Sequence, residues 1–138
     1  MRVKYASLPI TPPPGLKMDG YISRIGPARG PLDDLYLRTA ELDGVFLASL
    51  DLVAVNPVFS RRGAVAATHT HSGPSICHYA MSWGGCGEGE GRYVLGLSRL
   101  ISSAEPQPLR LCGFGYMGRG GNFRSVRAPR RPLARRLA

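Results

Sequence analysis

Residues 35–55 read LYLRTAELDGVFLASLDLVAV, two apolar-rich runs parted by Asp43-Gly44. That dipeptide is a strong two-residue hairpin signal. A β-hairpin is expected, with arms at 35–42 and 45–55. The second arm is apolar on both alternate sets apart from Ser49 and Asp51, the pattern of a central strand covered on both faces. Asp51 is the odd residue in it. A carboxylate there must be paired, hydrogen-bonded or near an open strand end, so Asp51 is either an accessory group supporting a histidine or a solvent-reaching end residue.

Beyond a short connection at 56–63, residues 64–74 read AVAATHTHSGP. Val65 to Thr68 has the composition of a buried strand, and Ser72-Gly73-Pro74 reverses the chain. His69 and His71 thus fall at a strand's carboxyl end, where ligands gather in open α/β sheets. Histidines two apart on an extended chain point to the same side and can approach one ion together. Neutral imidazole is a good zinc ligand, and a catalytic zinc takes about three protein ligands and one open position. The competing reading is a polar strand end with each ring hydrogen-bonded and no metal. Ser72, next to His71, is a further accessory candidate. A parallel crossover needs about a dozen residues or more, so the 45–55 and 64–68 strands are expected to be antiparallel or not adjacent.

Residues 75–91, SICHYAMSWGGCGEGEG, form a glycine-rich loop in this reading. His78, Cys77 or Cys86 can add a ligand to the histidine pair, and Glu88 or Glu90 can act as a third ligand or a general base; plain solvation is the commoner meaning of acids in such a loop. Residues 92–103 carry apolar groups near helical spacing and form the one expected helix, which Pro106 and Pro108 end. A strand is expected at 109–117 and disorder beyond about residue 126. On the other side, residues 2–8 alternate weakly as a strand, the three prolines of ITPPPG at 10–15 enforce a stiff loop, and the loop at 18–31 can wall a pocket.

The composition agrees with a small α/β domain. The chain has 138 residues, 43% apolar and 20% charged, with 18 Gly and 12 Pro. One loop-rich domain with a mixed sheet and few helices is expected at 1–118, followed by a basic, disordered tail at 119–138. The net charge of +9 suggests nucleic acid until it is placed along the chain. Seven arginines and no acid lie in 119–138, leaving 11 basic against 9 acidic residues before it. The body is nearly neutral, which disfavours a nucleic-acid partner; an arginine arm at 119–138 is the form such a partner would need. Three cysteines without a CxxC pair argue against a disulfide framework. No apolar run is long enough to span a bilayer and no leader is evident, so a soluble cytoplasmic protein is expected.

Laid out in order, these pieces resemble the N-terminal part of the neutral/alkaline non-lysosomal ceramidase family. Ile10-Thr11-Pro12-Pro13 is similar to the family's D-I-T-P-P opening and Gly20-Tyr21 to its following G-Y. PLDDLYLRTAEL at 31–42 resembles its D-x-L-Y-A-R-A-L strand, ASLDLVAV at 48–55 its S-L-D-L-V-G-V strand, and ATHTHSGP at 67–74 its most specific string. With Arg124-Ser125, similar to an N-R-S element but with Phe123 in place of asparagine, the resemblance covers about residues 3–126.

The resemblance implies a mixed α/β fold and zinc-dependent hydrolysis of an N-acyl amide bond in a small-molecule or lipid amide. It implies His69 as a zinc ligand, His71 as a second ligand, acid/base group or substrate-binding residue, and Arg124 as a substrate-binding residue. The family's other zinc ligands come from later segments, so a homo-oligomer is one way for this chain to complete a site. The rival reading is a non-catalytic, metal-binding or assembly protein. An HxH amidohydrolase barrel is disfavoured, since 138 residues cannot close a barrel that takes about 250.

Overall fold

The hairpin forms the middle of the sheet. The computed structural model describes residues 2–24, 26–59, 62–77 and 85–108. Strand β2 (Tyr36–Leu42) runs antiparallel to β3 (Val45–Leu50), and the turn between them has φ of 47° at Asp43 and 91° at Gly44. Strand β1 (Val3–Pro9) pairs antiparallel with β2 on its far side. Strand β4 (Ala64–Ala67) flanks β3, and the two-residue β5 (Gln107–Pro108) flanks β1, giving the order β4-β3-β2-β1-β5. The expected mixed α/β sheet is what forms. The region expected as a strand at 109–117 and the tail at 119–138 lie outside the described residues.

Two expectations around β3 are corrected. The strand ends at Leu50, not Val55, because the backbone turns there: the Leu52 amide donates to the Leu50 carbonyl (2.9 Å) and the Asp51 amide to the Tyr36 carbonyl (3.0 Å). The link to β4 is therefore residues 51–63, long enough for a crossover, and β4 lies beside β3 and parallel to it, from Leu47↔Ala64 to Leu50↔Ala67. Among its described residues the link holds a 3₁₀ turn, Pro57–Phe59, and no α-helix. Nor is β3 covered on both faces. Phe46, Ala48 and Leu50 are buried, whereas Val45 is 60% and Leu47 37% exposed.

Helix α1 (Glu88–Ser103) starts four residues before the expected onset. Its first turn is secured by Glu90, whose carboxylate accepts from the Gly87 amide (2.9 Å) and from the Lys17 amide (2.8 Å). The Lys17 bond first, then the bonds to the helix's own first amides, hold the Glu90 carboxyl below the usual carboxylate range despite its burial. Val94, Leu97 and Ile101, at i, i+3 and i+7, form the buried stripe of α1. They share one core with Leu37, Phe46, Leu50, Leu52, Phe59 and Ile76. Tyr93 adds a polar tie, its hydroxyl donating to the Ile10 carbonyl (2.6 Å), and burial pushes that phenol up.

The loop before β2 folds back on itself and is stitched to the segment after β4. The Gly15 amide donates to the Ala28 carbonyl and the Ala28 amide to the Leu16 carbonyl, both at 2.8 Å. The Asp19 amide donates to the Gly73 carbonyl (3.2 Å) and the Ser75 amide to the Lys17 carbonyl (2.8 Å), around a bridge between Met18 and Pro74. A further correction concerns the cysteines: Cys77 and Cys86 form a disulfide, tying the end of this segment to the approach of α1. Odd number and absent CxxC did not exclude one bond, because pairing follows spatial proximity. No helix among the described residues is long and apolar enough to cross a membrane.

A candidate metal centre at the end of β4

The two histidines meet, though not on a regular pleat. After β4 the chain stays bonded to its parallel neighbour, with the Thr68 amide donating to the Leu50 carbonyl (2.9 Å) and the Thr70 amide to the Leu52 carbonyl (3.2 Å). Between them His69 adopts φ of 60°, a left-handed conformation uncommon for a non-glycine residue. Strain of this kind persists only where the surroundings impose it. The rings of His69 and His71 lie edge to face with centroids 5.0 Å apart, and their Nε2 atoms are 3.4 Å apart.

The hydrogen bond on the other side of His69 fixes its tautomer. Its Nδ1 is 2.6 Å from the Val53 carbonyl, and a carbonyl oxygen accepts only. Nδ1 therefore carries the proton and Nε2 turns its lone pair toward His71, the arrangement that a metal-binding histidine uses. Two ligands on a tetrahedral zinc, each ~2.0–2.1 Å from it, stand about 3.3 Å apart, so the 3.4 Å separation fits two corners of such a site. Val53 belongs to the crossover, and a sequence reading that puts it in a strand gives no hint of this bond.

His71 is held from three sides by the loop before β2. Gly20, at φ of 103°, lies so close that a Cβ there would stand 2.6 Å from the His71 Cβ. Tyr21 meets the His71 ring edge to face, with centroids 5.2 Å apart. The Arg24 guanidinium lies over the Tyr21 ring and donates to the carbonyls of His71 (3.2 Å) and Asp19 (3.3 Å). Gly20 and Tyr21 carry a sequence signal, the G-Y pair of the family resemblance; Arg24 carries none, since an arginine in a polar loop reads as a solvated side chain.

The accessory candidates are scattered. Asp51 is bound by Arg38, whose Nη1 lies 2.9 and 3.0 Å from its two oxygens, and its Oδ2 also accepts from the Tyr36 amide (3.0 Å); neither a histidine nor bulk water is its principal partner. Glu88 lies in α1, largely exposed, 3.4 Å from Arg92 one turn on. Ser72 is exposed beside the pair, its amide donating to the Thr70 hydroxyl (3.2 Å). His78 and Arg124 lie outside the described residues. Among the described residues no group of three or more His, Cys, Asp or Glu side chains is placed to hold a metal.

Beside the histidine segment is a cleft of about 700 Å³, walled by Pro12, Pro14, Met18, Leu35 and Pro74, with Thr70, Ser72 and Arg24 at its polar side. The loop at 18–31, expected to be able to wall a pocket, does so.

No family model matches the chain, and no curated protein matches it in sequence. Its fold is similar to that of a solved structure described as "Ceramidase complexed with C2", with a TM-score of 0.55 and 23% sequence identity over 78% of this chain. The match spans 22% of that ceramidase's length. At this identity the likeness is one of fold: a ceramidase-like arrangement of sheet, helix and loops.

Proposed function

We propose that this chain carries the histidine pair of a zinc-dependent hydrolase that cleaves an N-acyl amide bond. The observation that carries the reading is the pair itself: two Nε2 atoms 3.4 Å apart, with the tautomer of His69 set by the Val53 carbonyl. The ceramidase-like fold supports the same reaction class. His69 and His71 would hold two corners of the site, and the remaining ligands would come from residues outside those described, such as His78, or from a second copy. A zinc ion there would supply Lewis-acid polarisation of the amide carbonyl and a water whose pKa is lowered toward about 7. The protein's own part is orientation: Val53 fixes His69, while Gly20, Tyr21 and Arg24 fix His71. If ligands from elsewhere complete the site without His71, its Nε2–H would instead relay a proton to the departing amine.

A non-catalytic, assembly role has one observation in its favour, the lack of a third ligand among the described residues. Metal analysis with mass measurement in solution separates the two. The hydrolase reading expects stoichiometric zinc in the purified protein, none in His69→Ala, and amine release from N-acyl amides that disappears with the metal. Unchanged zinc content in His69→Ala overturns it.

A further inference from the structure

We propose that Arg24 is an anion-recognising group of the cleft, so that the preferred ligand is an N-acyl amide bearing a carboxylate, of the N-acyl amino acid class. The N-acyl part rests on the hydrolase reading; the preference for an anion rests on the geometry of Arg24.

Arg24 is half-buried, and its contacts are neutral: the carbonyls of Asp19 and His71, and the face of Tyr21. The ion pairs among the described residues are Lys4 with Glu41, Arg38 with Asp51 and Arg92 with Glu88; Arg24 has none. A guanidinium has five N–H donors, and two carbonyls leave most of them open. A partly desolvated cation without a counter-charge is costly, and a carboxylate offered to its planar fork relieves that cost with charge-assisted hydrogen bonds. Arg24 lines the cleft, and Arg29 stands on the same cleft, likewise in no ion pair among the described residues. Asp33 is the one acid of the lining, so the wall carries two guanidinium groups against one carboxylate.

The rest of the cleft complements the other end of such a ligand. Pro12, Pro14, Met18, Leu35 and Pro74 offer apolar wall to an acyl chain. Arg24 donates to the backbone carbonyl of His71, so the cleft wall that it lines is tied to the segment carrying the histidine pair.

The test is equilibrium binding to the full chain in chelator, without metal or turnover, using N-octanoylglycine and its uncharged counterpart N-octanoylethanolamine. Charge-assisted bonds predict that the carboxylate probe binds at least about tenfold tighter, with a preference that shrinks as salt is raised. Arg24→Gln should bring the two affinities together, Arg24→Lys should retain part of the preference, and Arg29→Gln should reduce it less than Arg24→Gln. Because Arg24 also braces His71, circular dichroism and the histidine ring resonances are followed in each variant. Equal affinity of the two probes for the wild type, no binding of either, or a preference that survives Arg24→Gln in folded protein overturns the proposal. A protein that prefers the carboxylate probe yet never hydrolyses an amide would sink the hydrolase reading alone.

Discussion

The covered face of the sheet and the rim at the end of β4 are built by different physics. Beneath α1 the chain relies on area: Leu37, Leu50, Leu52 and Ile76 are fully buried, and any residue of similar volume would supply much the same contact. At the rim it relies on backbone geometry: a left-handed histidine, a glycine pressed on His71, and ring or guanidinium bonds to the carbonyls of Val53 and His71. Stability and site geometry should therefore be separable by mutation, since the core tolerates change in proportion to volume while the rim responds to single atoms.

The largest effect should come from the core. Leu50→Ala removes a fully buried side chain and should lower unfolding free energy by about 2–5 kcal/mol in a urea titration. The histidine ring resonances of the folded fraction should stay near their wild-type positions; a large shift would show that core and rim are one unit. Gly20→Ala comes next. It meets both a positive φ and the body of His71, and should cost about 1–3 kcal/mol while displacing the His71 resonances. Gly15→Ala is its control, with φ of 101° and open space around the position, and should cost only about 1–2 kcal/mol with the histidines unmoved.

Glu90 sharpens the comparison through pH. Its folded pKa is depressed below the ordinary carboxylate value of 4.5, so the stability it contributes is fully present above that value and is lost as pH falls through the folded pKa. The stability gap between wild type and Glu90→Gln should be constant from neutrality down to about pH 4.5 and narrow below it. A gap that persists unchanged to pH 2 would mean that the ionised carboxylate is not what holds the helix start. The smallest effect belongs to the open face, where Leu47→Thr should move stability by no more than about 0.5 kcal/mol, since the side chain is already 37% exposed.

Much of the fold is legible in the sequence because local rules agree there. Asp43-Gly44 with alternating apolar neighbours gives the hairpin, and the spacing of Val94, Leu97 and Ile101 gives the helix. The errors around β3 share one origin. DLVAV at 51–55 is as apolar as any strand, and only the turn at Leu50, closed by hydrogen bonds to Tyr36 and Leu50 itself, ends it early. Misplacing that end hid the parallel crossover and with it the Val53 carbonyl that orients His69. The histidine pair was visible as a motif, since alternate residues need no tertiary information to be noticed. Arg24 was not, because its role depends on contacts with His71, 47 residues away.

Strand β5 also bears on how the chain reaches this structure during synthesis. Tyr5 and Gln107 face each other across the β1–β5 ladder, so β1 pairs with a strand made about a hundred residues later. Hairpin β2–β3 can close as soon as it leaves the ribosome, whereas one edge of β1 waits with its backbone groups unpaired until residue 108 emerges. Lys4 and Pro108 lie side by side, so joining the chain there and reopening it at the Asp43-Gly44 turn would shift that wait from β1 to the hairpin.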